Sequence, residues 1–282
     1  MKVILLTALA LTAFAANAVL CRLALDSGAI DPTSFTTIRL LSGAFVLALI
    51  FQFTKQSEGV SKPQGSWISA INLTLYAITF SFGYLSVSSG TGALILFGAV
   101  QVTMLLAALK SGEKMKIHQW GGFAIAVAGL IYLVSPGVSA PDMKGAILMI
   151  ISGITWAFYS LAGKSATTPI AMTAGNFLRA ALLSLPIAIF FLDSQNYNQT
   201  GVILALTSGI ITSGIAYIIW YRALALLSTT KAAILQLLVP PLASLGGVLF
   251  ISEQFTTRLL IASILILGGV ILSVLNGKAS QS

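Results

Sequence analysis

The stretch PTSFTTIRLLSGAFVLALIFQF, residues 32–53, is apolar almost throughout, yet it carries a guanidinium near its start, at Arg39. A run of about 20 such residues is what a helix needs to cross the hydrocarbon of a bilayer. A second stretch, PIAMTAGNFLRAALLSLPIAIFFL at residues 169–192, repeats the design: a proline, an apolar run and one internal arginine, Arg179. Adding 140 to 39 gives 179, and the same shift carries Glu113 onto Glu253 and Gly129 onto Gly269. The chain reads as the duplication of one membrane-embedded unit.

Working outward, the whole composition agrees. Of 282 residues, 57% are hydrophobic and 8% charged, where soluble domains carry about 25% charged residues. Fifteen basic and seven acidic side chains cannot coat a soluble protein of this length. Further apolar stretches near residues 3–21, 67–85, 92–109, 118–134, 145–161, 201–220, 232–251 and 258–275 bring the predicted helices to ten. Strands are not expected, because lipid admits only helices or closed barrels and these runs are too long and too uniformly apolar for barrel strands. The start of the chain, Lys2 and an apolar run ending in Ala16-Asn17-Ala18, imitates a cleaved signal peptide. Under the shift, however, residues 3–21 fall on 143–161, so cleavage would leave the first half a helix short. The expected fold is all-α, with repeats at residues 1–138 and 139–282. Five helices is an odd number, so the second repeat crosses the membrane in the opposite sense to the first.

The basic residues report topology. With the N-terminus inside, ten fall on the cytoplasmic side: Lys2, Lys55, Lys62, Lys110, Lys114, Lys116, Lys164, Arg222, Lys231 and Lys278. Arg22, Lys144 and Arg258 fall on the other side, and Arg39 and Arg179 lie within helices. Such an excess is the positive-inside pattern and places both termini in the cytoplasm. The net charge of +8 is spread along the chain rather than gathered into a nucleic-acid-binding stretch. One cysteine, Cys21, permits no intrachain disulfide, and with one histidine no Cys/His metal cluster is available. No catalytic residue, metal or cofactor is expected. Hydrolysis inside the bilayer would need a dyad or a metal, whereas His118 is a lone loop histidine and no acid lies inside a predicted span.

A few polar and aromatic side chains do lie within the spans. Arg39 and Arg179 either bind a substrate carboxylate or latch a gate, or else they tie helix ends together through backbone carbonyls or snorkel to the headgroups. Pro240, with Pro241, sits about halfway along the ninth helix, where each proline frees a carbonyl. The result is a packing kink or part of a binding site. Asn17, Gln101 and Gln236 are polar at depth and face a cavity or bond another helix. Among the aromatics, Tyr76, Phe80, Trp156 and Tyr159 are cavity candidates. Tyr84, Trp220 and Tyr221, near predicted helix ends, read as interface anchors. Glu113 and Glu253, just past the fourth and ninth helices, are expected to cap or fix loops.

These pieces resemble the drug/metabolite transporter superfamily, in particular ten-helix permeases built of two EamA-type repeats. The likeness rests on residues 14–17 of the first helix, Trp156-Ala157-Phe158-Tyr159 of the sixth and Pro32 with Arg39. It rests also on Arg179, the Glu113-Lys114 and Glu253-Gln254 pairs, Gly129 and Gly269. Phe14 stands where the family favours tryptophan. The resemblance implies a secondary transporter of a bacterial inner membrane, able to act as a monomer, that exports small amphipathic metabolites such as amino acids, aromatic ones included. Other branches of the superfamily carry drugs, nucleotide sugars or phosphorylated metabolites. For sugar nucleotides the residues argue against, since balancing phosphate calls for more deep Lys and Arg than two.

Overall fold

The computed structural model describes residues 2–57, 59–111, 117–137, 140–164, 166–227 and 229–275. Among them the chain forms eleven helices: α1 (Lys2–Asp26), α2 (Pro32–Thr54), α3 (Trp67–Gly83), α4 (Ser89–Lys110), α5 (Ile117–Val134), α6 (Met143–Lys164), α7 (Pro169–Phe190), α8 (Gln199–Leu224), α9 (Thr229–Gln236), α10 (Val239–Ile251) and α11 (Thr257–Leu275). Six are long and apolar enough to cross a membrane, and four shorter apolar helices accompany them. The tenfold expectation is met with one difference: the ninth span is two helices, α9 and α10, separated at Leu237 and Leu238.

Local chemistry explains where the helices start. Asp31 caps α2 by accepting from the amides of Thr33 and Ser34, each at 2.9 Å, with Pro32 in the first turn. Ser66 and Ser88 do the same for α3 and α4, and Asn198 for α8. The break between α9 and α10 follows from Pro240 and Pro241. Inside one continuous helix both would leave carbonyls unbonded and clash with the preceding turn. Placed in the first turn of α10 instead, they lack only amides that a helix start does not use. The prolines thus begin a second helix rather than kink a single one.

The packing displays the duplication. Helix α2 lies along α7 and α5 along α11; α3 on α6 is matched by α8 on α1, and α4 on α6 by α10 on α1. Each pair returns the other when the halves are exchanged, which is the pattern of a two-fold relation between repeats. Gly269 on α11 sits against Gly122 and Ala126 of α5, one of the close backbone approaches that small residues allow in lipid. The adjacent Gly121 and Gly268 make no such approach, a Cβ at either meeting no atom within 4 Å. Outward faces are apolar, as at Phe45, Ile68, Leu249 and Phe250, all exposed. Lipid accepts such a surface, and the polar side chains are turned inward.

Candidate functional site

Helices α1, α2, α3, α6 and α8 converge on a set of aromatic rings around one guanidinium. Arg39 is only 1% exposed. Its Nε donates to Ser213 Oγ at 2.8 Å, and its Nη2 donates to the hydroxyls of Tyr217 at 2.9 Å and Tyr76 at 3.3 Å. The guanidinium carbon lies 5.2 Å from the ring centre of Tyr76 and 5.1 Å from that of Phe80, within cation–π range. Nη1 has no hydrogen-bond partner. A buried arginine held only by neutral groups retains its full charge, and an environment of hydroxyls and ring faces is what makes that charge tolerable.

The local backbone of α8 supplies two of these partners. Residues Ser208–Ile215 run as a π-helix, a rare form that is frequent at functional sites. Ser208 and Thr212 on this segment donate to Asn17 Oδ1 of α1 at 2.6 and 3.0 Å. Ser213 meets Arg39 from the same segment. Gly209 lets α8 approach α2: a Cβ there would stand 2.9 Å from the Cα of Arg39. The sequence signal for this segment is the run of hydroxyls and glycines at Ser208-Gly209 and Thr212-Ser213-Gly214 inside an apolar span. Hydropathy averages such residues away, so the segment does not stand out from the rest of the span.

Trp156 is the hub of the aromatic set. Its ring centre is 5.2 Å from Phe14, 5.0 Å from Tyr76, 4.8 Å from Tyr217 and 5.7 Å from Tyr159, the last stacked. Its Nε1 donates to Gln236 Oε1 at 2.8 Å, and Gln236 Nε2 reaches Met104 Sδ at 3.7 Å. A space of about 10 Å³ lies among Phe14, Tyr76, Phe80, Tyr84, Phe97 and Trp156. A second of the same size is lined by Gln101, Met104, Thr229 and Ala233. Each of these two spaces has room for about one water in this conformation.

The predicted site residues therefore divide. Asn17, Arg39, Tyr76, Phe80, Trp156, Tyr159 and Gln236 come together in one cluster. Gln101 lies beside it, at the second space, with Oε1 unpartnered. Pro240 stands at the start of α10, its carbonyl accepting from Ser244 Oγ at 2.9 Å. Arg179 does not join them. Its Nη1 donates to the carbonyls of Gln64 and Gly175 at 2.9 and 2.8 Å, and it lies against the Trp67 ring, half-buried. Three aromatics depart from their expected place. Tyr84, Trp220 and Tyr221 are wholly buried rather than at the interface. Their polar tips bond inside the protein, to the Ser89 carbonyl, Ser160 Oγ and the Tyr159 carbonyl. Proximity to a helix end in sequence failed as a guide because these helices overlap at their ends, so an end residue still faces a neighbour.

Both ends of the cluster are tied. At the end where Ser86 bonds Asp142, Glu253 accepts from the Ser89 amide at 2.9 Å through both carboxylate oxygens and pairs with Arg22 at 3.3 Å. Arg22 also bonds Asp26 at 2.7 Å and the Tyr84 carbonyl at 2.8 Å. Glu253 thus caps α4, a helix of the other repeat, reached because Ser252 adopts the left-handed conformation (φ 58°). At the far end of α6, Lys164 donates to Thr229 Oγ1. Glu113 lies outside the described residues.

Comparison with known proteins fits this architecture. The model of the EamA-like transporter family matches twice, at residues 1–135 and 143–275. An uncharacterized protein of Pseudomonas aeruginosa is 43% identical over 99% of this chain and 98% of its own length. The threonine/homoserine exporter RhtA of Escherichia coli K12 is 28% identical, covering 80% of this chain and 76% of that one. A solved crystal structure with 22% identity superimposes with a TM-score of 0.68 over 95% of this chain and 98% of the other, a likeness of fold. With both halves matched by one family model, the chain belongs to the EamA-like transporter family and is an integral membrane transporter.

Proposed function

We propose that this protein is a secondary transporter that exports small amphipathic metabolites, amino acids including aromatic ones among them, by alternating access. The repeats, residues 1–138 and 139–282, rock about the seam that contains Arg39 and Trp156, opening the central space to each side in turn. The observation that carries this reading is the buried polar and aromatic cluster at that seam, tied at one end by Glu253 and Arg22 and at the other by Lys164 and Thr229. The exporter name of the Escherichia coli relative supports the direction and the cargo. Asn17, Tyr76, Phe80, Gln101, Trp156, Tyr159, Gln236 and Pro240 form the binding region, and one chain suffices because it holds both repeats. The bacterial relatives support an inner membrane location, and the distribution of basic residues supports both termini in the cytoplasm.

The test is flux of labelled amino acids from proteoliposomes holding the purified chain. Saturable, side-dependent efflux is expected, and its absence for every amino acid defeats the cargo assignment. Single cysteines at Gln101 and Trp156 are expected to react with impermeant reagents from one side or the other as conditions change. Reporter tags near residues 137 and 280 should lie on opposite sides of the membrane. Finding both on one side removes the inverted pairing.

A further inference from the structure

We infer that Arg39 sets the charge of what the central cavity accepts: a small molecule with a carboxylate beside an aromatic body binds, a cation is excluded, and an ammonium group on the cargo is dispensable. The word cargo rests on the transport reading above, but the binding preference does not.

The geometry is a fixed charge one ring layer from the cavity. Tyr76 and Phe80 line the central space. The same two rings lie against the guanidinium, 5.2 and 5.1 Å from their centres to its carbon. That charge has no neutralising partner among the described residues. Ser213, Tyr217 and Tyr76 offer neutral hydroxyls, and Nη1 is unpartnered. The described acids, Asp26, Asp31, Asp142, Asp193 and Glu253, lie at helix ends or in connections, and the salt bridges found both belong to Arg22.

Two consequences follow for a molecule among the rings. At an effective dielectric of about 20 and a separation of roughly 8 Å, the unscreened guanidinium favours an anion over its neutral isostere by about thirtyfold, and disfavours a cation by the same factor. In addition, aromatic cages ordinarily hold cations through their ring faces. Here Tyr76 and Phe80 already serve Arg39 in that way, which leaves them poorer partners for a second positive charge. Among the described residues no carboxylate stands ready for an ammonium group, and Gln236 Oε1 is taken by Trp156 Nε1. The aromatic lining and the buried charge together select an arylalkyl carboxylate.

The test uses the full-length chain in detergent and three probes with one phenyl body: 3-phenylpropionate, 3-phenylpropionamide and phenethylammonium. Binding is read by calorimetry and tryptophan fluorescence. We expect the carboxylate to bind about thirtyfold more tightly than the amide, with the ammonium weakest. R39K, which keeps the charge, is expected to keep this order, and R39Q to bring the three within about threefold of one another. Equal affinities in the unaltered protein, a carboxylate preference that survives in R39Q, or no saturable carboxylate binding at millimolar concentration each overturns the inference. So does chloride competing as well as the carboxylate, which would mark a site for any small anion. If R39Q does not fold, the order of the three probes on the unaltered protein decides the matter. Flux without this order would leave transport standing and remove the charge assignment, whereas the order without flux would do the reverse.

Discussion

Arg39 and Arg179 occupy equivalent places in the two repeats, and they live in different surroundings. Arg39 is sealed among hydroxyls and rings. Arg179 is half-buried and bonds two backbone carbonyls at the edge of α7. Their neighbours explain the difference. Ser213, Tyr217 and Tyr76 hold Arg39, whereas the residues related to these by the shift of 140 are Leu73, Ala77 and Ala216, none of which can accept a hydrogen bond from a guanidinium through its side chain. Duplication supplied two arginines. Divergence of α3 and α8 turned one inward and left the other as a tether. For the same residue in the same register, one guanidinium is enclosed by side-chain hydroxyls and the other ties backbone carbonyls.

The sharpest way to break this comparison is to give α8 the side chains that α3 has. The double variant S213L/Y217A removes two hydroxyl partners from a buried charge. It is expected to cost about 3–5 kcal/mol in thermal or denaturant unfolding and to abolish flux. Retention of stability would mean that Arg39 finds other partners easily and that the two arginines differ less than their contacts suggest. Next in size is G209A. A methyl group there meets the backbone of α2 at Arg39, so α8 must shift, with an expected loss of about 1–3 kcal/mol and weaker transport. A variant as stable as the parent would show that the close approach of α8 to α2 is not needed to hold Arg39.

R179Q exchanges two carbonyl bonds of a half-exposed side chain for weaker ones. About 1 kcal/mol is expected on the melting curve. Flux should stay within about twofold of the parent while R39Q loses about tenfold or more, a gap of at least about 1 kcal/mol. Equal losses in the two variants would erase the distinction. The smallest effect is at Asp142, outside the spans. The Gly145 amide, and then the Ser86 hydroxyl, hold its carboxyl below the usual carboxylate range. A lowered value in the folded state means that its contribution to stability is present above the ordinary carboxylate pKa and is lost as pH falls through the lowered one. D142N should therefore melt below the parent at neutral pH and converge with it in acid. A constant difference across that range would assign the contribution to hydrogen bonds alone.

Much of this was legible in the chain before folding. The spans could be read because lipid offers no partner for a peptide group, so each crossing segment must satisfy its own backbone within about 20 consecutive apolar residues, a purely local requirement. The duplication was legible from Arg39, Arg179, Glu253 and Gly269, and with it the odd number of helices that inverts the second repeat. Asn17, Trp156 and Gln236 could be named as deep polar or aromatic groups, because such residues are costly against lipid and must turn toward protein.

What the tertiary structure alone decided is which way each side chain turns. Helices apolar on all sides have no polar face to orient them, so only contact with neighbours could bury Tyr84, Trp220 and Tyr221 or leave Arg179 at the edge. The π-helical turn at residues 208–215, the division of the ninth span and the reach of Glu253 across to α4 also depend on partners distant in sequence. Hydropathy reports the cost of removing one residue from water; the placement of a charge among hydroxyls and rings is a property of the helices around it.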